Sequence, residues 1–337
     1  MPVRYFKYGK PFKLENGESL PELTIAYHTY GKPKGDNVVW VCHALTANSD
    51  VEDWWPHTVE EGKFLDPAKH FVVCANILGS HYGTTGPLSA DPATGRPYYS
   101  LFPFITVRDM INAHMLLAEH LGVKKISTVI GSSIGGFQAL EMAIGYPQMI
   151  DRLVLIATAA RSQPWAIALN ESQRMSIETD TSYGGKDPEA GKKGMRVARS
   201  IGLLSYRGLS AYNLTQQEND NYYKMVGFRA ASYQQYQGDK LCRRFNAYSY
   251  YRLTQAFDSH NVGRYRGGIE SALGQVSCRT MVVGISTDII FPVSEQIFLY
   301  RNIPGAELRL LSSEFGHDGF LVEHEKLNEI LKPFIER

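Results

Sequence analysis

Gly131-Ser132-Ser133-Ile134-Gly135 sets a serine between two glycines in the G-x-S-x-G spacing, with a further glycine, Gly136, behind it. Residues 126–130 are mostly β-branched and apolar. Ile134, Phe137, Leu140 and Ile144 then recur at helical spacing on one face, up to a stop at Gly145-Tyr146-Pro147. A strand that stops at Gly131, turns sharply at Ser133 and enters a helix would lift the serine Oγ clear of a sheet. The residues around it must be small, because strand and helix backbones converge there. Five matching residues alone fit an ordinary glycine turn; the flanking strand and helix patterns make Ser133 a candidate nucleophile.

A serine hydroxyl reacts poorly until a base takes its proton, so a histidine and an orienting acid are required. Of ten histidines, His317 is the best placed, in Glu-Phe-Gly-His-Asp-Gly between the last strand pattern and the last helix pattern. With a strand–elbow–helix nucleophile the chain order is serine, acid, histidine. Asp288 satisfies it: it follows the apolar run 280–285 and precedes Phe-Pro and a helix pattern. Glu314 is the competing acid. Alone, His317 reads as a loop histidine and Asp288 as a turn aspartate; their order, each at a strand's carboxyl end, favours a triad with Ser133. The developing oxyanion needs backbone N–H donors. These are assigned to Ile134, directly after the serine, and to Leu45, in the loop Cys42-His43-Ala44-Leu45-Thr46. His43 is read as a structural histidine holding that loop.

Strand patterns at 23–29, 38–43, 71–77, 126–130, 153–157, 280–285 and 307–311 alternate with helical ones such as 107–121 and 134–144. That alternation predicts an α/β fold with a mostly parallel sheet covered on both faces. Between 162 and 276 the texture changes to Gln, Tyr, Arg and Asn, with helical patterns at 165–177 and 241–257 and no β-branched run. It reads as a helical lid, 162–276, inserted into a core of 1–161 and 277–337.

The chain has 337 residues, 44% of them hydrophobic, and 35 basic residues against 34 acidic. So balanced a charge gives no footprint for nucleic acid or an anionic membrane. No run approaches the ~20 apolar residues of a membrane span. The N-terminus shows no apolar signal core. The cysteines, Cys42, Cys74, Cys242 and Cys278, show no short paired spacing, and Cys42 and Cys74 fit buried free thiols. A cytoplasmic protein is expected. No H-E-x-x-H, C-x-x-C or Walker loop is present, so no metal and no bound cofactor are expected.

Longer motifs are more specific than the elbow: Tyr30-Gly31-Lys32-Pro33, His43-Ala44-Leu45-Thr46, Asn76-Ile77-Leu78-Gly79, Tyr82-Gly83-Thr84-Thr85-Gly86-Pro87, Phe102-Pro103, Leu169-Asn170-Glu171-Ser172-Gln173-Arg174 and Gly316-His317-Asp318. Through them the chain resembles the homoserine O-acetyltransferase family, whose members have the α/β-hydrolase fold. The resemblance implies acetyl transfer from acetyl-CoA, as co-substrate, to L-homoserine through an acyl-Ser133, in methionine synthesis. It implies a lid arginine for the substrate, mapped onto Ala198-Arg199 with Arg196 and Arg207 as competitors. The aspartate after the histidine, Asp318, is implied as a second substrate contact, and a homodimer through the lid as the assembly. The chain departs from the family at Ala47-Asn48-Ser49, at the Gly-Ser-Ser elbow, at Tyr98-Tyr99 and in a shorter segment before Arg199. Other readings are a serine esterase of the same fold, a homoserine O-succinyltransferase and an inactive binding protein.

Overall fold

The computed structural model of the protein describes residues 1–219 and 223–336. Eight strands form one sheet: β1 Arg4–Tyr8, β2 Leu23–Tyr30, β3 Val38–Cys42, β4 Phe71–Ala75, β5 Thr128–Ser132, β6 Arg152–Ile156, β7 Arg279–Ile285 and β8 Glu307–Leu311. Their order across the sheet is β1-β2-β4-β3-β5-β6-β7-β8. All pairs from β4 to β8 are parallel, and β1 and β2 add an antiparallel edge. The parallel strands are apolar at consecutive positions because both faces are covered. On β3, Val38, Trp40 and Cys42 enter one core while Val39 and Val41 enter the other. One face is covered by α1 Val107–His120 and α2 Ile134–Gly145. The opposite core takes Leu327, Leu331 and Phe334 of a C-terminal helix, His324–Ile335.

Between β6 and β7 the chain forms helices α3 Pro164–Glu178, α4 Lys192–Tyr206, α5 Leu209–Gln216, α6 Arg229–Cys242 and α7 Ala247–Asp258, then a short helix Ile269–Leu273. The expected helix over 241–257 is instead two. α6 ends at Cys242, and Asn246 starts α7 by accepting the Ser249 N–H at 2.8 Å. A capping asparagine satisfies an amide that the helix end would leave free, so the chain turns there. Among the described residues no helix is long and apolar enough to cross a membrane. All four cysteines are free, with Cys42 and Cys74 buried.

Other expectations need correction around the elbow. The strand continues through Gly131 to Ser132, because Gly131 pairs with Cys42 and Ser132 with Ile156. α2 has no polar outer face: Ile134 to Ile144 are all buried. Its Glu141 is neutralised by Arg108 at 3.2 Å and Arg266 at 2.8 Å, and its Gln138 donates to the His43 carbonyl at 3.2 Å. β1 escaped the sequence reading because Arg-Tyr-Phe-Lys-Tyr shows no polar–apolar alternation and most of it is exposed on an edge strand.

The Gly83-Thr84-Thr85-Gly86-Pro87 loop completes β2 where β4 has ended. The Ala26 and Thr24 amides donate to the hydroxyls of Thr84 and Thr85, at 3.0 and 2.8 Å. The Thr84 hydroxyl in turn donates to the Asn76 carbonyl at 2.8 Å. Two side chains thereby do the work of a missing strand's carbonyls.

Gly131 and Gly135 are where main chains meet, and Gly136 packs on the Thr158 side chain. A Cβ on Gly131 would lie 2.0 Å from the Gly135 carbonyl oxygen. One on Gly135 would lie 2.1 Å from the Cys42 carbonyl oxygen. Gly135→Ala is therefore expected to lower unfolding stability by about 1–3 kcal/mol or more, the cost of overpacking. Gly9→Ala, where a Cβ meets nothing within 4 Å, serves as the control. Urea denaturation of the two variants beside the unaltered chain checks this; equal midpoints would refute the close approach.

Candidate active site

Ser133 sits on the turn between β5 and α2 with φ 59° and ψ −128°, a region that non-glycine residues adopt at a cost. The strained turn is pinned from both sides. The Ser133 amide donates to the Ile156 carbonyl at 3.1 Å, and the Thr158 hydroxyl donates to the Ser133 carbonyl at 2.8 Å. Ile134 opens α2, so its amide is among those a helix leaves without an internal acceptor. Leu45 lies in the loop after β3, and that loop is held by His43. The His43 Nε2 accepts the Ile77 amide at 3.0 Å, which leaves Nδ1 as the donor to the Ala44 carbonyl at 2.8 Å. Burial pushes the imidazole pKa down to about 4, so it stays neutral. This is the structural role expected of His43.

Asp288 follows β7, its amide bonded to the Ile285 carbonyl at 3.2 Å. One carboxylate oxygen accepts the amides of Ile290 and Phe291, at 2.8 and 3.0 Å. The other accepts His317 Nδ1–H at 2.7 Å. Glu314, the competing acid, is exposed to solvent. His317 rides on a short turn, Gly316–Asp318, and is enclosed by Phe291 and Phe320, each with its ring centroid 5.4 Å away. Burial alone would lower its pKa; the negative Asp288 beside it reverses that, and the net shift is upward from 6.5. With Nδ1 committed to Asp288, the free basic nitrogen is Nε2.

Ser133, His317, Asp318, Arg199 and Leu45 line one pocket of about 390 Å³. Asp288 stands behind His317, and Ile134 is fully buried and not among the residues that line the pocket. Arg196 is not part of the pocket: it pairs with Asp239 at 2.5 Å. Arg207 pairs with Asp318, Nε to Oδ2 at 3.1 Å. Arg199 has no carboxylate within 4 Å among the described residues, and its guanidinium lies 5.2 Å from the centre of the Tyr206 ring. Burial raises the Asp318 pKa, and Arg207, Arg199 and His317 oppose that rise without cancelling it.

Other pocket residues were not found by sequence reasoning. Tyr206 follows Arg199 by two helical turns and shares its face, a spacing that was available. Arg244 carried no signal, because the break between α6 and α7 delivers it. Its guanidinium donates to the Thr46 carbonyl and the Tyr82 hydroxyl, tying the helical segment to the Leu45 loop. The Asn170–Arg174 motif is part clamp, part lining. Arg174 and Asn170 grip Asp258 of α7 at 2.6 and 2.7 Å, while Asn170 and Gln173 reach the pocket wall.

A base tuned by a carboxylate has a testable pH signature. Modification of Ser133 by an organophosphorus probe is expected to be slow at low pH, where His317 is protonated. It should rise with pH through an inflection above about 6.5. Asp288→Asn should move that inflection down and slow labelling by about 10³–10⁴-fold. Labelling rates measured by mass spectrometry across pH check both. An unshifted inflection in Asp288→Asn would sink the assignment.

A family model of the α/β hydrolase fold matches residues 37–324. Among solved structures, esterase E22 superposes with a TM-score of 0.90 at 21% identity, covering 99% of each chain. Homoserine O-acetyltransferase from Bacillus anthracis superposes with a TM-score of 0.90 at 22% identity, over 100% of this chain and 98% of that one. At such identities both speak for the fold alone, and one is an esterase while the other is a transferase. The sequence of homoserine O-acetyltransferase from Cyclobacterium marinum is 45% identical over 336 residues, which is 99% of this chain and 95% of the relative. With the fold, the pocket and near-full-length identity in agreement, this chain belongs to the homoserine O-acetyltransferase family of α/β-hydrolase-fold enzymes.

Proposed function

We propose that the protein moves an acetyl group from acetyl-CoA to the side-chain hydroxyl of L-homoserine, through an acyl-enzyme on Ser133. The observation that carries this reading is the company the serine and histidine keep. In the same pocket stand a guanidinium without a carboxylate partner, Arg199, and a carboxylate, Asp318. A serine, histidine and acid serve any acyl transfer, hydrolysis included. Opposite charges in the same pocket suit the zwitterionic end of an amino acid, its carboxylate to the arginine and its ammonium to the aspartate. The name of the Cyclobacterium marinum relative, homoserine O-acetyltransferase, supports the same acceptor and the same acyl group.

His317 Nε2 takes the Ser133 Oγ proton as Oγ attacks the thioester carbonyl. The amides of Leu45 and Ile134 receive the oxyanion. The tetrahedral centre collapses, the C–S bond breaks, and the imidazolium returns its proton to the departing thiolate. The homoserine hydroxyl then gives its proton to Nε2 and attacks the acyl carbonyl. The bond to Ser133 Oγ breaks, and the same proton goes back to the serine. Throughout, Asp288 holds the ring and stabilises the imidazolium.

Residues 162–276 act as a helical lid over a core of 1–161 and 277–337. Its outer surface carries exposed Leu204, Leu209, Leu214, Met225, Val226 and Phe228, more apolar surface than a solvated helix pair needs. A homodimer joined through the lid would cover it. Four free thiols accord with a cytoplasmic setting.

Ser133→Ala is expected to abolish transfer while keeping the fold. Unaltered protein mixed rapidly with acetyl-CoA should show an acetyl mass increase on the Ser133 peptide. Arg199→Ala should keep the burst of free CoA yet lose transfer to homoserine, by several kcal/mol of acceptor binding. Loss of the burst as well would assign Arg199 to CoA binding or lid folding. Release of CoA that homoserine never accelerates would make the protein an esterase. Static light scattering at micromolar concentration should give the dimer mass; a monomer would remove the lid interface.

A further inference from the structure

Arg207, the cation paired with Asp318, plays no part in that scheme. It follows directly on α4, with its Nε 3.1 Å from Asp318 Oδ2 and a terminal nitrogen donating to the Tyr233 hydroxyl of α6 at 3.3 Å. Both side chains of the ion pair are mostly buried, at 27% and 14% exposure. The pair is held by its backbone. A Cβ on Gly208 would lie 2.0 Å from the Glu314 carbonyl oxygen. One on Gly316 would lie 2.5 Å from the Gly208 nitrogen and 2.7 Å from the Arg207 carbonyl carbon. Gly316 also has φ +66°, a conformation that a side chain would resist. The lid corner and the histidine loop therefore touch main chain to main chain, which sets the backbones that carry Arg207 and Asp318 side by side.

Arg199 and Asp318 carry opposite charges in one small pocket. Attraction between such groups grows steeply as water is excluded. Left to themselves they would pair with each other, and each would be spent before an amino acid arrived. Arg207 stands on the Oδ2 side of Asp318, its Nε 3.1 Å away, and leaves Oδ1 for another donor.

We infer that Arg207 is a positioning residue, which pairs with Asp318 to hold it off Arg199 so that both ends of an amino-acid acceptor find an unspent partner. The inference rests on reading Arg199 and Asp318 as the groups that recognise those two ends. It adds an acceptor-affinity determinant that never touches the acyl group.

Arg207→Gln keeps a planar donor for Tyr233 and removes the charge, while Arg207→Lys keeps the charge. The KM for L-homoserine is expected to rise about tenfold or more in Arg207→Gln, with a far smaller change in kcat. The burst of CoA from acetyl-CoA, which needs no acceptor, persists. Arg207→Lys recovers most of the affinity. Equal KM values in all three proteins would overturn the inference. So would loss of the burst together with a lowered Tm in both variants, which would make Arg207 a strut of the lid corner. A crystal structure of Arg207→Gln tests the cause without any acceptor. Asp318 should turn to within about 4 Å of Arg199, and an unmoved Asp318 would refute the inference. If the unaltered protein releases CoA but never acetylates homoserine, the acceptor assignment falls, while the crystal structure still decides what Arg207 does.

Discussion

At the end of β5 the main chains of β3, β5 and α2 meet with no side chain between them. The Gly131 position faces the Gly135 carbonyl, and the Gly135 position faces the Cys42 carbonyl. No methyl group fits at either place. This contact forces Ser133 into its strained turn, aims its side chain out of the sheet and starts α2 one residue later. It also sets the loop after β3, with Leu45, against the first amide of that helix. A sharply turned serine followed at once by a helix-opening amide is thus a by-product of three backbones sharing one place. The strain stored at Ser133 persists because the Ile156 carbonyl and the Thr158 hydroxyl hold the turn from the far side.

The base is set by a different logic. Asp288 is fixed by two amides of its own loop before it meets His317, so the acid is rigid and the imidazole follows it. Phe291 and Phe320 exclude water around the ring. Exclusion alone would favour the neutral ring, and the carboxylate shifts the balance toward the charged form that an acyl transfer must pass through. Rigid acid, dry walls and a free Nε2 are what the reaction needs from the core.

On the proposed reading, specificity belongs to the helices between β6 and β7. The fold is shared by a solved esterase and a solved homoserine O-acetyltransferase at the same TM-score, so the sheet and elbow do not separate hydrolysis from transfer. α4 brings Arg199 and Tyr206 to the pocket, and the corner after it brings Arg207 to Asp318. The Asn170–Asp258–Arg174 clamp and Arg244 on Thr46 keep those helices docked. On that reading, acceptor recognition depends on ion pairs and polar contacts at the pocket's edge.

Much of this could be read from the sequence because its causes are local. The elbow needs glycines at set spacings, β-branched runs mark the buried parallel strands, and Asp288 and His317 each follow a strand in the required order. Helix and sheet periodicity are properties of neighbouring residues, so they survive in one dimension. The antiparallel edge strand β1 was not readable, since Arg-Tyr-Phe-Lys-Tyr lacks the two-residue alternation that marks a strand. Neither was the break between α6 and α7, which rests on one capping asparagine. The partners of the charges were decided only in three dimensions. Arg196, Arg199 and Arg207 lie within a short stretch and are chemically equivalent as letters. Helix α4 and the corner after it turn the first to Asp239, leave the second facing the pocket and press the third onto Asp318. Charge pairing depends on distance and burial across segments far apart in the chain, and no spacing along the chain encodes either.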